Sequence, residues 1–280
     1  MSNRLTTVLL FFLLILGIAI LLYPSVSDYY NSFHQTRAIS HYVEQIEEFD
    51  DSKYDDIWAD AAAYNAQLID QEFRFQPTEE QLAWYETVLD ITGTGIMGYI
   101  EIPKIDCSLP IYHGTSNKVL QIAIGHIEGS SVPGGGPGTH MVFSGHRGLP
   151  SAKLFTDLDK LEIGDMFVIR SLNQVFTYEI DQVLIVLPYE LDALAIDPEQ
   201  DYCTLVTCTP YGVNTHRLLV RGHRTENVEM ERLVKVVNDA QQIDETIVAG
   251  VIAAPMLAIL VIWMLIATRD KKPKRRRQNG

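Results

Sequence analysis

The sequence predicts a mainly β globular domain, a closed barrel or a sandwich, preceded by helices and flanked by two membrane-spanning helices. Three observations carry that reading. Between about residues 97 and 224, seven short runs rich in β-branched and aromatic residues are separated by turn residues. Residues 29 to 89 carry helical periodicity instead. Apolar stretches at Val8–Tyr23, extended by Leu5, Thr6 and Thr7, and at Ile247–Ala267 are each long enough to cross a bilayer.

The N-terminal run, with Leu5, Thr6 and Thr7, reaches the roughly 17 to 25 residues that a span requires. A cleaved signal peptide is the alternative. Leu22-Tyr-Pro-Ser-Val-Ser offers no small-x-small cleavage site, so a retained anchor over residues 1–27 is expected. In the helical region, residues 28–91, Ile57, Ala61, Tyr64 and Leu68 recur at spacings of four, three and four. Thr78-Glu-Glu-Gln then opens a further helix with an N-cap ahead of Leu82, Tyr85 and Leu89. Gly93, Gly95 and Gly98 mark the change to strand periodicity.

The strand-like runs are Tyr99–Pro103, Ser108–Tyr112, Thr139–Ser144, Met166–Arg170, Val175–Leu187, Tyr202–Cys208 and His216–Arg221. Two helical interludes, Ser116–Ile124 and Ala152–Leu161, interrupt them. Pro133-Gly-Gly-Gly-Pro-Gly has no following Gly-Lys-Ser/Thr and opens no helix, so it reads as a surface turn and not a phosphate loop. A helical connector over 227–246 leads into a second span, 247–268, and a basic tail, 269–280.

Arg4 precedes the first span, and Arg269, Lys271, Lys272, Lys274, Arg275, Arg276 and Arg277 follow the second. The positive-inside rule therefore places both termini in the cytoplasm and the middle of the chain on the extracellular face of the membrane. The whole chain holds 22 basic and 36 acidic residues; without Arg4 and the tail, the middle keeps 14 against 35, a net charge of −21. Such a surface excludes nonspecific nucleic-acid binding. Three cysteines, an odd number, leave at least one thiol unpaired. Cys107 reads as a buried core thiol, and a Cys107–Cys203 bridge stays open.

The chemistry concentrates in Thr204-Leu-Val-Thr-Cys208-Thr-Pro-Tyr-Gly, followed nine residues after the cysteine by Arg217. An apolar run ends in a thiol, Pro210 and Gly212 break it, and a guanidinium returns on the next run, as on a strand pair. Phe143-Ser-Gly-His146-Arg-Gly sets an imidazole at another strand end. A thiol, a titratable base and a fixed cation compose an acyl-transfer site. By position alone Cys208 fits a core thiol as well as a nucleophile. His140 and His146 share a strand face if the strand runs that far, but no third ligand accompanies them, so no metal site is expected. Arg221, four residues after Arg217 on the same face, reads as a surface ion pair. The histidine precedes the cysteine, opposite to the papain order.

These residues resemble the sortase family, and within it the pilus-assembling class C branch. Gly98-Tyr-Ile-Glu-Ile-Pro-Lys-Ile, Leu109-Pro-Ile-Tyr-His-Gly, Ser144-Gly-His-Arg-Gly-Leu-Pro-Ser, Leu154-Phe-Thr-Asp-Leu and the run from Thr204 to Arg224 occur in family order over roughly residues 92–225. The resemblance implies an eight-stranded sortase-type β-barrel over 92–226. It implies Cys208 as nucleophile, His146 as proton carrier and Arg217 as oxyanion ligand; Thr207 and Thr209, which flank the cysteine in sequence, are read as substrate-binding through hydroxyl or backbone N–H contacts, and no cofactor or metal is expected. The implied reaction is a transpeptidation: an LPxTG-like sorting signal on a pilin or surface protein is cut between Thr and Gly through a thioacyl-enzyme, then passed to a lysine of a second pilin. Attachment of surface proteins to peptidoglycan, a cysteine hydrolase and a noncatalytic module stand as alternatives.

Class C sortases commonly carry an Asp-Pro-aromatic lid over the cysteine. Here Leu68-Ile-Asp70-Gln-Glu-Phe73-Arg-Phe75-Gln-Pro lacks the triplet, and Asp70 with Phe73, within a segment at 68–77, is the nearest equivalent. No LPxTG-like sequence precedes the second span, so the chain is not expected to be its own substrate.

Overall fold

The computed structural model describes residues 3–71 and 73–227, together with Val261. The predicted connector, second span and basic tail lie outside the described residues, apart from Asn227 and Val261. Helix α1 runs over Asn3–Glu47. Its stretch from Thr6 onward contains a window of mean hydropathy 2.7, long and apolar enough to cross a membrane. The chain divides after Val26: the first part of α1 belongs to one compact unit, and Ser27 onward to the unit that holds the barrel.

In that second unit α1 continues to Glu47, followed by α2, Tyr54–Ile69, and α3, Glu79–Tyr85. The predicted spacing on α2 is realised: Ala61, Tyr64 and Leu68 are buried and join the main core, with Ile57 packed against it. At the start of α3 the capping box is complete. The Thr78 hydroxyl accepts from the Gln81 N–H, and the Gln81 side chain accepts from the Thr78 N–H, so two otherwise orphaned donors are satisfied.

Eight strands close into a barrel: β1 Ile96–Ile102, β2 Cys107–His113, β3 Ile124–His126, β4 Thr139–Ser144, β5 Met166–Ser171, β6 Gln174–Val186, β7 Asp201–Thr209 and β8 His216–Arg224. The order around the barrel is β1-β2-β3-β4-β7-β8-β6-β5. Two pairs, β2 with β3 and β4 with β7, are parallel; the rest are antiparallel. Alternate residues fill the interior. On β7, Cys203 and Leu205 enter the same core as Phe143, Phe167, Tyr178, Leu218 and Val220. Each fully buried side chain of that kind stabilises the fold by about 1.5–3 kcal/mol. The even-numbered residues of β7 face outward, where Val206 packs with Val142, Leu194 and Leu219 in a separate cluster.

The sequence reading missed β3. It is a three-residue strand, Ile124-Gly-His126, whose first residue ends the predicted helical interlude and which is too short to show an alternation. Of the two helical interludes, Ser116–Ile124 contains a short helix α4, Asn117–Leu120, capped by Ser116. Ala152–Leu161 forms no α-helix, only turns and a 3-10 turn at Leu158–Lys160. Its apolar positions do turn inward: Leu154, Phe155, Leu158 and Leu161 are buried against the barrel. The barrel dictates that path, and the backbone there adopts a positive φ at Leu154, which a helix forbids.

Candidate active site

Register sets Cys208 and Arg217 side by side on the outer face of the barrel, with His146 on the loop that follows the neighbouring strand β4. Cys208 and Arg217 are direct cross-strand partners on β7 and β8. In an antiparallel pair, opposed side chains on one face stand about 5 Å apart at Cβ. On the other side of β7 runs β4, with Ser144 aligned to Val206. His146 lies two residues past Ser144, as Cys208 lies two past Val206, so the loop that carries the histidine leaves β4 on the flank of β7 opposite β8. All three side chains are half-buried.

The histidine stands on a loop, two residues beyond the end of β4. The loop is tied to β7: the Gly145 N–H donates to the Val206 carbonyl at 3.0 Å, and the Thr207 hydroxyl donates to the Gly145 carbonyl at 2.7 Å. Gly145 is a packing requirement, since a Cβ there would lie 2.7 Å from the Phe155 ring and 2.9 Å from Ile124. Gly148 sits at φ +71, a backbone conformation that residues with a Cβ rarely adopt. Farther along, the Phe155 N–H donates to the His146 carbonyl at 3.1 Å and the Gly148 N–H to the Thr156 hydroxyl at 3.1 Å. Arg147 pairs with Asp159 and reaches the Thr209 hydroxyl at 3.4 Å, joining the histidine loop to the end of β7.

Arg217 is held by its own turn. Its Nη1 donates to the carbonyls of Asn214 at 3.2 Å and His216 at 3.0 Å, which leaves Nε and Nη2 to serve a ligand. Arg221 makes the predicted ion pair, bidentate to Asp181 at 3.0 and 3.1 Å.

Thr207 and Thr209 flank Cys208 in sequence but occupy the opposite face. Thr207 is 1% exposed and its hydroxyl donates to the Gly145 carbonyl, which ties it to the histidine loop. Of the possible lid residues, Asp70 is the exposed C-cap of α2, and Phe73 is 66% exposed. Their neighbours do the docking. Arg74, 8% exposed, donates to the carbonyls of Gly129 at 2.9 Å and of Leu194. Phe75 packs into the outer cluster with Val206 and Leu219, the next non-adjacent pair along from Cys208 and Arg217.

Two other histidines gained a role that no sequence pattern announced. His126 is fully buried between the Tyr85 hydroxyl at 2.9 Å and the Ser131 carbonyl at 2.8 Å, and burial lowers its pKa to about 3. His140 is also buried, its Nδ1 on the Ala195 carbonyl at 2.8 Å and its Nε2 on the Thr204 hydroxyl at 2.7 Å; burial lowers its pKa to about 4. Both rings are neutral structural groups, and His140 has no nitrogen to spare for a metal shared with His146. Cys107 and Cys203 are free and buried rather than bridged, with burial pushing the Cys107 thiol up to about 12 and the Cys203 thiol well above its ordinary value.

A family profile for the sortase domain matches residues 100–225. The barrel resembles the crystal structure of sortase C1 from Streptococcus agalactiae, with a TM-score of 0.66 and 52% identity over 69% of this chain and 100% of that one. It is also similar to the structure of Clostridium perfringens sortase C with the C-terminal cell wall sorting motif, with a TM-score of 0.60 and 42% identity over 68% of this chain and 99% of that one. Sortase D of Bacillus subtilis is 32% identical over 130 residues, 45% of this chain, and the match spans 63% of that relative, under two thirds of its length. A closed eight-stranded barrel, a matching domain profile and full-length agreement with solved relatives converge on one conclusion: the chain belongs to the sortase family, with class C sortases as its structural neighbours.

Proposed function

We propose that the protein is a membrane-anchored cysteine transpeptidase that polymerises pilins. The observation that carries this reading is the Cys208–Arg217 cross-strand pair with His146 on the other flank of β7, in a barrel that matches class C sortases along their length. The Cys208 sulfur attacks the threonine carbonyl of an LPxTG-like sorting signal. The resulting oxyanion is bound by the donors of Arg217 that its turn leaves available. The C–N bond then breaks, His146 protonates the departing glycine amine, and a thioester remains on Cys208. A lysine amine from a second pilin attacks the thioester, gives its proton to His146, and expels the thiolate as an isopeptide bond forms. The apolar part of α1 supplies an anchor, and the acidic middle of the chain suits a domain held outside the cytoplasm.

Phe75 contributes an apolar wall to the face on which the signal binds, in place of a lid built from Asp70 and Phe73. The test is to incubate residues 28–245 with an LPxTG-bearing pilin and follow high-molecular-weight products, with Cys208→Ala as control. Ladders that disappear in the variant support polymerisation. Cleavage without ladders, even with a lysine-bearing acceptor present, would make the protein a hydrolase. Absence of any thioacyl adduct with sorting peptides would remove the enzyme reading altogether.

A further inference from the structure

We propose that the part of α1 just beyond the apolar run is a positioning element of the active site, latching the loop that carries His146 through Asp28 and Asn31. The Asp28 carboxylate accepts from the Lys153 backbone N–H at 2.6 Å, and the Asn31 side-chain amide donates to the Ser151 carbonyl at 2.7 Å. Both targets lie in the loop between β4 and β5, which also holds His146, Arg147 and the Gly148 turn.

That loop is closed on itself near its start. The Phe155 N–H reaches back to the His146 carbonyl at 3.1 Å, and the Gly148 N–H to the Thr156 hydroxyl at 3.1 Å. Ser151 and Lys153 are at the far side of this ring, so holding them limits the movement of His146. A connection of this length without a helix is ordinarily mobile unless something pins it. On one side it is pinned to β7 through Gly145 and Thr207; the helix supplies the opposite support.

The latch forms one end of a continuous helix face. Asp28, Asn31, Gln35, Ile39 and Tyr42 recur at spacings of three, four, four and three. Ile39 and Tyr42 are buried against Ile96 and Tyr99, which anchors the helix to β1. Gln35 donates to the Ile122 carbonyl at 2.7 Å, away from the histidine loop. The helix is therefore docked through Ile39 and Tyr42 toward its C-terminal end, while Asp28 and Asn31, nearer the apolar run, bind loop backbone. Their chemistry matches their targets: an acceptor meets an N–H and a donor meets a carbonyl. Asp28 is the fifth residue after Tyr23, where that run ends, so the latch starts almost as soon as the chain leaves its anchor.

The rate effect expected of the latch rests on the reading of His146 as proton carrier, but the latch itself can be tested apart from it. The full chain in detergent micelles is assayed with a sorting-signal peptide for kcat and KM, with iodoacetamide for Cys208 alkylation across pH, and by amide exchange over residues 146–156. Asn31→Asp, which turns an acceptor onto the Ser151 carbonyl, and Asp28→Ala should lower kcat about tenfold with KM little changed, since small misplacement of a catalytic group acts on the chemical step. Both should speed exchange at residues 149–156 and leave the thermal midpoint nearly where it was. Asp28→Asn keeps an acceptor oxygen and should recover most of the rate. Gln35→Ala should leave the loop's exchange unchanged. Parent-like kcat and exchange in Asn31→Asp, or an equal loss in Gln35→Ala, overturns the latch. If the parent chain turns over no sorting peptide, the transpeptidase reading fails, while exchange in the Asp28 and Asn31 variants still decides the latch.

Discussion

Cys203 and Cys208 stand five residues apart on β7 and meet opposite fates. Cys203 points into the barrel, fully buried in the main core, and burial pushes its thiol well above the ordinary range. Cys208 points outward, half-buried, opposite Arg217 and flanked by the histidine loop. The residue type is the same and so is the strand. An odd separation on a pleated strand makes one of them a packing group and the other available to a ligand. Thr207 and Cys208 repeat the contrast between adjacent residues, one holding the loop from inside and the other facing the site.

The largest expected effect breaks the outer side of the comparison. Cys208→Ser should abolish transfer, by about 10⁴-fold or more, as removal of a covalent nucleophile does, with little change in the unfolding midpoint. Arg217→Ala comes next, with a loss of about 10²–10³-fold in kcat for a removed oxyanion donor, checked by steady-state kinetics on a sorting peptide. Cys203→Ser should invert the pattern, leaving turnover near normal while denaturant unfolding shows a loss of about 1–3 kcal/mol for a hydroxyl placed in an apolar core. Equal effects of the two serine substitutions would erase the distinction between the faces.

The smallest effect concerns the buried histidines, which sharpen the same contrast between structural and reactive groups. His126 and His140 have folded pKa values of about 3 and 4, below the usual 6.5, so the unfolded chain binds protons that the folded chain refuses. Stability from this source is complete above pH 6.5 and declines as pH falls from 6.5 towards 4 and then 3. Between pH 7 and 5.5 each histidine should cost about 1 kcal/mol. Urea unfolding at the two pH values measures it, and His126→Phe or His140→Gln should flatten the slope.

The strands that the sequence announced are those whose apolar runs are bounded by turn residues, such as β4, β7 and β8. β3 was hidden because three residues, one of them a glycine and one a histidine, carry no period of their own. The loop at Ala152–Leu161 misled for a related reason. Its apolar residues recur at nearly helical spacing, but they answer to the barrel wall beneath them. For the proposed site, Cys208, His146 and Arg217 could be named from motif and spacing. Asp70 and Phe73 are the nearest match to a family pattern. The residues that dock, Arg74 and Phe75, are chosen by the carbonyls of Gly129 and Leu194 and by an apolar cluster drawn from distant strands.

The sequence by itself determined what is local and periodic: an apolar run long enough for a membrane, a capped helix at Thr78, and alternation on β7 that separates Cys203 from Cys208. Its motifs also named the chemical groups of the site. Tertiary structure decided which strands are neighbours, and hence that Arg217 and the histidine loop flank one thiol. It also decided that Thr207 supports that loop from within and that α1 reaches across to Ser151 and Lys153. The physical reason is range. Side-chain alternation and helical periodicity are written in a few consecutive residues, whereas barrel closure and hydrogen bonds between residues more than a hundred positions apart depend on how the whole chain buries its apolar surface.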